Sequence, residues 1–286
     1  NTGQTMWVST PGARPFDTTY SPPVIANMNG TRLLIAGGGD CAVSAIKAQT
    51  GEPVWTYLMS KRGINTGVAV KGTTVFVSHS EENLDTNEMG LLAALDGTAK
   101  GPIGKDQIKW ILKGFQGGFS SPIIDGDRYY QIDNGANLFA FDVNTGKELW
   151  KKNLGTIQKS SPVLADGKLY VGTENGKFFI LQPGPTGCEV LSENVLGPEA
   201  TPEQIIASVA VSHGRVFLVS DANLYCIGKK SGATVPAPHE QVEAPSPNAP
   251  VAFVQVAPTE LTLKPGESVQ LHARAFDSAG RFLSEE

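Results

Sequence analysis

Hydrophobic and polar positions alternate along this chain in a unit that repeats. Residues 137–150 (NLFAFDVNTGKELW) show the unit most clearly: an apolar strand, a turn rich in Asp, Asn and Gly, and a second strand ending on Trp150. Closely spaced β-branched and aromatic residues between such turns predict antiparallel β-hairpins. The same turn and second strand recur in residues 1–7 (NTGQTMW), so the sequence is predicted to start inside one copy.

One position of the repeat carries a large apolar residue, usually four residues after a glycine. It is occupied by Trp7, Trp55, Trp110 after a lengthened turn, Trp150 and Leu191. These anchors lie 40–55 residues apart, which is the length of a four-stranded propeller blade. The chain is therefore predicted to be all-β: a β-propeller of four-stranded antiparallel blades, about five of them in this sequence.

The repeats also predict the domain boundaries. The β-propeller covers residues 1–235, with blades near 21–59, 65–112, 119–155, 160–197 and 206–235, and with residues 1–10 as the outer strand of a preceding blade. Residues 236–250 are rich in proline and are predicted to be an extended linker. Strict alternation returns in residues 251–286, which are too few for a β-sandwich of roughly 100 residues. This last stretch is predicted to be a truncated β-sandwich segment.

Two arrangements of the blades are compatible with the repeat. In an open arc, residues 5–9 belong to an upstream blade beside the 21–59 blade, and residues 231–235 begin the last strand of the fifth blade. In a closed ring of five blades, residues 5–9 pair directly with residues 223–227. The turn retained before Trp7 favours the open arc, because a strand that only completed the last blade would not need it.

Composition limits the classes of function. The net charge is −5 without a basic run, so nothing in it favours nucleic acid or an anionic membrane surface. No apolar stretch approaches the roughly 20 residues of a membrane helix. The first residue is Asn, which predicts a processed or partial chain. Three cysteines without metal-type spacing allow at most one internal disulfide, and buried free thiols are favoured.

The segments AFDVNTGKELW and SSPVLADGKLYVGTENGKFF resemble the repeats of pyrroloquinoline-quinone-type β-propellers, over about residues 1–235. That family includes quinoprotein alcohol dehydrogenases and non-catalytic outer-membrane assembly lipoproteins. The resemblance implies seven or eight blades in all, and it implies that the repeated tryptophan docks against the neighbouring blade. Residues 251–286 resemble the opening strands of a bacterial immunoglobulin-like domain.

The quinoprotein dehydrogenases resembled here carry an adjacent disulfide-bonded cysteine pair, a tryptophan beneath the cofactor, a calcium ion and an aspartate base. This sequence has no Cys-Cys pair, and its four tryptophans all occupy the docking position. Asp133 and Asn134 could serve as base and calcium ligand, but they lie in a hairpin turn and are interpreted as turn residues. No catalytic, cofactor-binding or metal site is therefore predicted.

A polar excursion in the second blade, SHSEENLDTNEMG, is the candidate interaction loop. It gathers an imidazole and carboxylates from His79, Glu81, Glu82, Asp85 and Glu88. The spacing fits neither a calcium loop nor a zinc helix motif, so a solvated acidic loop is favoured. His213, His239 and His272 have no nucleophile or ligand nearby in the sequence and are assigned no chemistry.

These observations predict a non-enzymatic β-propeller that acts as a scaffold or interaction subunit of an extracytoplasmic assembly, periplasmic or at the cell surface. Its partners would be other proteins. One alternative is a quinone-dependent dehydrogenase whose active residues lie outside this sequence, which adjacent cysteines upstream would indicate. Another is a cell-surface polymer-binding module, which would need an exposed row of aromatic residues. Fold alone does not decide among them, because one fold hosts unrelated activities.

Overall fold

The chain folds almost entirely into β-strands. A computed structural model describes residues 3–229 and 243–285 and contains six sheets. Five sheets follow one another in the chain and are numbered blades 1 to 5, and the sixth lies near the C-terminal end. Within the described residues, no helix has the length and apolar character needed to cross a membrane. The predicted all-β fold of four-stranded antiparallel sheets is confirmed.

The strands of the first two blades are interleaved at one point. Blade 1 consists of β1 Val24–Met28, β2 Thr31–Gly37, β3 Ala42–Lys47 and β4 Pro53–Leu58. Blade 2 consists of β5 Ala69–Lys71, β6 Thr74–Glu82, β7 Met89–Asp96 and β9 Ile108–Lys113. Between β7 and β9 the chain forms β8 (Gly101–Pro102) and a short 3-10 helix (Lys105–Gln107). β8 pairs in parallel with the outer edge of β4, so blade 1 has a fifth strand.

The remaining sheets are regular. Blade 3 consists of β10 Ile123–Asp125, β11 Arg128–Ile132, β12 Asn137–Asp142 and β13 Glu148–Asn153. Blade 4 consists of β14 Val163–Ala165, β15 Lys168–Gly172, β16 Lys177–Pro183 and β17 Cys188–Val195. Blade 5 shows β18 Ala210–Ser212, β19 Arg215–Val219 and β20 Leu224–Gly228, and the C-terminal sheet consists of β21 Phe253–Ala257, β22 His272–Phe276 and β23 Phe282–Glu285. The predicted last strand of blade 5, residues 231–235, lies outside the described residues.

The hydrophobic core lies between the blades. Separate clusters fill the spaces between blades 1 and 2, 2 and 3, 3 and 4, and 4 and 5. Each strand alternates side chains between its two faces, and both faces of an inner blade are covered, which explains the near-continuous apolar runs in β7 and β16. The short first strands β5, β10, β14 and β18 contact one another in sequence around the axis.

A relay of backbone-to-hydroxyl hydrogen bonds links these inner strands. The N–H of Gly67 donates to Ser121 Oγ at 2.9 Å, that of Ser121 to Ser161 Oγ at 2.8 Å, and that of Ser161 to Ser208 Oγ at 2.8 Å. Each bond joins one blade to the next at the same repeat position. The serine hydroxyl at this repeat position therefore connects each of these blades to the one before it.

Strand direction divides the propeller into two faces. Because consecutive strands are antiparallel, the turns between the first and second strands and between the third and fourth strands lie at one end of each blade. We call this end the turn face. The loops between the second and third strands, and the connections from one blade to the next, lie at the other end. We call this other end the connection face.

Residues 3–10 differ from the prediction of an outer strand. They form no strand, because no ladder partner lies beside them among the described residues. No backbone hydrogen bond joins residues 5–9 to residues 223–227 within the described ranges, so the direct pairing that the closed five-blade ring requires is not formed. The ring of Trp7 instead lies at Gly51 of blade 1.

The C-terminal sheet contacts the turn face of blade 1. The backbone N–H of Thr259 donates to Thr5 O at 2.8 Å, and its hydroxyl donates to Met6 O at 2.7 Å. Gln255 Nε2 donates to Gln49 O at 3.2 Å. The alternation around residues 261–271 predicted further strands, but this stretch forms none and its aliphatic side chains are exposed. Alternation alone cannot form a ladder without a neighbouring strand.

Candidate functional site

Three of the predicted docking tryptophans make the same contact. Trp55 Nε1 donates to Gly97 O at 3.0 Å, Trp110 Nε1 to Val143 O at 3.0 Å, and Trp150 Nε1 to Gly184 O at 2.9 Å. In each case the ring belongs to the outer strand of one blade, and the acceptor belongs to the turn between the third and fourth strands of the next blade. Trp55 and Trp150 are buried, and Trp110 is half-buried.

Two turns that face a repeat tryptophan, those that receive Trp110 and Trp7, contain a glycine whose side chain would collide with the ring. A Cβ at Gly146, where φ is +72°, would lie 2.6 Å from Trp110 Cε3. A Cβ at Gly51, where φ is +76°, would lie 2.7 Å from Trp7 Cε3. The ring of Trp7 thus contacts the glycine turn of blade 1 in the same way that the ring of Trp110 contacts the glycine turn of blade 3. We propose that the contacts of the repeat tryptophans with the next blade, through the indole hydrogen bond and at two junctions through the glycine, hold successive blades together.

Leu191 does not share this position, and the prediction for it is wrong. Its side chain is 46% exposed. In blade 3, Trp150 pairs with Ala140, whereas in blade 4 the equivalent Ile180 pairs with Ser192. The segment that joins the paired residues is two residues longer in blade 4 (Ile180 to Ser192) than in blade 3 (Ala140 to Trp150), so counting four residues from Gly187 reaches the bulge position. Leu149 is the corresponding bulge residue in blade 3.

The acidic excursion forms a hairpin on the connection face. β6 extends to Glu82, so the loop itself is residues 83–88. Asn83 is buried inside it, and its Nδ2 donates to Glu88 O at 2.7 Å and Gly90 O at 3.0 Å. These two bonds close the loop over its own backbone, as side-chain amides often do in turns.

Two carboxylates of this hairpin, those of Asp85 and Glu82, lie close to basic side chains. Lys113 Nζ lies 2.8 Å from Asp85, and its hydrogen bond lowers the pKa of that carboxyl. Arg62 Nε lies 3.8 Å from Glu82. Burial, and then the charge of Glu82, raise the pKa of Glu81. Across the described residues, no three His, Cys, Asp or Glu side chains are grouped in a way that could hold a metal ion.

His79 is not part of the exposed loop, which corrects its place in the predicted interaction set. It lies within β6 and is 1% exposed. Its Nδ1 accepts the Glu81 N–H at 3.1 Å, so the neutral ring carries its proton on Nε2. Burial lowers the pKa of His79 to about 4. Hydrogen bonds with the Met59 backbone, the Asn83 side chain and the Glu81 backbone partly offset this lowering.

This buried imidazole predicts a pH dependence of stability. An unfolded chain protonates His79 near pH 6.5, whereas the folded chain does so only near pH 4. Between these values the unfolded state binds the extra proton, so stability is complete above pH 6.5 and falls as the pH drops towards 4. We expect the free energy of unfolding to lose about 2–3 kcal/mol from this group between pH 7 and pH 4.5.

Urea titrations of the wild type and of His79→Gln at both pH values isolate this contribution. The variant should lose less stability than the wild type over the same interval. Equal losses in the two proteins would show that His79 titrates normally.

Three exposed aromatic rings lie on the connection face beside this hairpin, and the sequence analysis did not find them. Phe16, Tyr20 and Phe119 are 69%, 66% and 40% exposed. The rings of Tyr20 and Phe119 meet edge to face with centroids 5.6 Å apart, and the Arg62 guanidinium lies 5.5 Å from the centre of the Phe16 ring. The N–H of Gly118 donates to Ser80 Oγ, which joins this patch to the hairpin strand.

We call these residues, together with the hairpin loop 83–88, the connection-face surface. Beside its outer end, a groove of about 240 Å³ runs between the end of β4 and the hairpin, and its lining includes Leu58, Leu84 and Ile111. Exposed aromatic rings with an adjacent arginine are the composition found at the centres of protein interfaces. The only sequence clue was that each ring lies in a segment leading into a blade.

The other candidates have structural roles. Asp133 accepts hydrogen bonds from the backbone and side chain of Asn137, as expected of a turn aspartate. His213 lies in a tight turn with φ of +50°, and His272 lies 3.3 Å from Glu285 on an exposed strand. His239 lies outside the described residues. Cys41, Cys188 and Cys226 are free thiols, and only Cys41 is fully buried.

Comparison with known proteins identifies the repeat. A family model described as "Outer membrane protein assembly factor BamB" matches residues 1–237. The curated BamB of Salmonella typhimurium is 33% identical over 147 residues, which cover 50% of this chain and 35% of that protein. The BamB of Legionella pneumophila is 24% identical over 162 residues, covering 56% and 40%. The match therefore spans less than half the length of these relatives.

Solved structures support the fold. The crystal structure of BamB from Moraxella catarrhalis superposes with a TM-score of 0.55 at 17% identity, over 77% of this chain and 60% of that one. The WD40 β-propeller domain of Doa1 superposes with a TM-score of 0.52 at 13% identity, over 72% and 63%. The five blades thus have the arrangement of a β-propeller.

Proposed function

Because this chain belongs to the family of the outer membrane protein assembly factor BamB, we propose that it is a non-enzymatic scaffold subunit of an outer-membrane protein assembly system. It would bind another protein through the connection-face surface. The observation that carries this proposal is the aromatic cluster of Phe16, Tyr20 and Phe119, which is exposed on the connection face beside the packed blades.

The physical properties of this surface suit a protein partner. Aromatic side chains bury a large apolar area while restricting few rotamers, and the guanidinium of Arg62 adds a directional charge. The flanking hairpin presents Asp85 and Glu88 at its rim, where charges influence orientation and association rate more than affinity. The chain would act outside the cytoplasm, in the compartment adjoining the outer membrane.

The two alternatives gain less support. The named relatives are assembly factors and not quinone-dependent dehydrogenases. A polymer-binding module would need a row of coplanar exposed rings, but Tyr20 and Phe119 meet at 66° and Phe16 is partly covered by Arg62. This geometry fits interdigitating side chains of a protein better than a stack of sugar rings.

Site-specific photo-crosslinking tests this function. A photoreactive phenylalanine analogue would be placed at Tyr20 or Phe119, and at Asp166 as the control on the turn face, where the residue forms part of an exposed tight turn. The full chain would be produced in Escherichia coli, whose own BamB is 31% identical over 147 residues. We expect one discrete protein adduct from positions 20 and 119, identified by mass spectrometry as an outer-membrane assembly component.

The control position should give no such adduct, because the turn face points away from the proposed interface. Adducts of equal yield from position 166 would contradict the assignment of the face. Adducts only with unrelated proteins would contradict the proposed function.

A further inference from the structure

The outer strands of the blades differ in how their free edges are protected. An outer strand presents unpaired N–H and C=O groups, and proteins commonly shield such an edge with lysine, with a covering segment or by keeping it short. β4 is covered by β8. β9 carries Lys109 and Lys113, and β13 carries Lys151 and Lys152.

Among residues 3–229 and 243–285, the outer strand of blade 4 has none of these protections. β17 is eight residues long, against six for each of β4, β9 and β13. Its sequence, CEVLSENV, contains no lysine or arginine, and Val190, Leu191 and Val195 are exposed. No described residue pairs with its outer edge.

The chain itself shows that a blade edge can accept an added strand. β8 pairs in parallel with β4 through Trp55 and Gly101 and through Thr56 and Pro102, and the N–H of Ile103 donates to Thr56 O at 2.8 Å. The edge of β17 occupies the same place in blade 4 as the edge of β4 in blade 1. Its backbone is therefore arranged to form equivalent hydrogen bonds.

The charge of β17 indicates what would pair there. Its carboxylates are Glu189 and Glu193, both exposed. Glu193 already pairs with Lys177 of β16 at 2.6 Å, so Glu189 supplies the carboxylate that has no ion pair among the described residues. Opposite charges on neighbouring strands stabilise a pair, whereas like charges destabilise it. We propose that β17 is a β-augmentation site for an extended segment of a protein partner in which apolar residues alternate with lysine or arginine.

This inference rests on the proposed function in that the occupant is a protein, but it concerns a different surface. The connection-face surface lies at one end of the blades, and the edge of β17 lies on the outer side wall. Substitutions can therefore disrupt either of these two binding surfaces while leaving the other unchanged.

The test uses the full chain and a fluorescent synthetic peptide in which valine alternates with lysine. One control peptide has glutamate in place of lysine, and another has proline at alternate positions, which removes the N–H groups that a strand needs. Anisotropy titrations should show binding of the valine–lysine peptide, and much weaker binding of both controls.

A matched pair of variants tests whether the peptide binds at the edge of β17. Leu191→Lys with Val195→Lys puts positive charge on the β17 edge, whereas Leu149→Lys with Asn153→Lys puts it at the same register positions of β13. All four side chains are on outer strands, so both variants should fold. We expect the β17 variant to weaken peptide binding roughly tenfold and the β13 variant to leave it unchanged.

Hydrogen exchange gives an independent outcome. Amides of residues 188–195 should exchange more slowly with the peptide bound, and those of residues 148–153 should not change. Equal weakening by both variants, retained binding of the proline peptide, or no binding at all would each overturn the proposal. If crosslinking at positions 20 and 119 succeeds while these results fail, the edge site is wrong and the scaffold function stands.

Discussion

Replacing Trp150 with alanine should lower the free energy of unfolding by roughly 3–5 kcal/mol. The ring is 7% exposed and packs with Tyr130 at a centroid distance of 5.7 Å. Its indole N–H also donates to Gly184 O in the next blade, so the substitution removes apolar contact and leaves a carbonyl without its partner. A contact that crosses from one blade to the next cannot be replaced by movement within a single hairpin.

Urea denaturation followed by circular dichroism measures this loss. Leu149→Ala is the matched control, because Leu149 is the adjacent residue on β13 and is 38% exposed. It should change stability by less than about 1 kcal/mol. Trp150→Phe should fall between the two, since it keeps much of the ring packing but loses the hydrogen bond. A loss below about 1 kcal/mol for Trp150→Ala would show that the ring does not hold the blades together.

Gly146→Ala should destabilise the chain by roughly 2–4 kcal/mol. Gly146 has φ of +72°, a conformation that a residue with a Cβ adopts only at a cost, and the new Cβ would lie 2.6 Å from Trp110 Cε3. The ring would have to move away from the turn, which weakens its hydrogen bond to Val143 O.

Gly126→Ala separates the cost of the positive φ from the cost of the collision with the tryptophan ring. Gly126 also has a positive φ, of +56°, but nothing lies within 4 Å of its would-be Cβ. It should therefore cost only the conformational strain of about 1–2 kcal/mol. The difference between the two variants measures the contact with the tryptophan. If both variants lose the same stability, the glycine is needed for the turn alone and the close approach of the ring has no energetic role.

The repeat made most of the fold predictable, because strand period, turn residues and blade length all point to one architecture. Turns such as Asn29-Gly30 and Asp166-Gly167 have consecutive positive φ angles, as hairpins of this type require. The position of Leu191 was not predictable from spacing alone. The register depends on the length of chain between paired residues, and the segment from Ile180 to Ser192 in blade 4 is two residues longer than the segment from Ala140 to Trp150 in blade 3.

The candidate surface was only partly predictable. The polar excursion in blade 2 showed where a loop would be, but not that β6 continues through His79 and buries it. Tyr20 and Phe119 are separated by almost 100 residues and come together only because the blades curve around an axis. A residue that is exposed in a connection leaves no periodic pattern, so single-sequence analysis had no way to select these rings.

Hydrogen exchange on the chain, alone and with the partner captured through position 119, tests the central claim most directly. We expect slower exchange in residues 16–20, 83–88 and 116–119 when the partner is bound, because these segments form the connection-face surface. The turn-face residues 126–127 and 166–167 should show no change. Protection confined to the turn face, with the connection face unchanged, would contradict the claim that this propeller binds its partner through its exposed aromatic cluster.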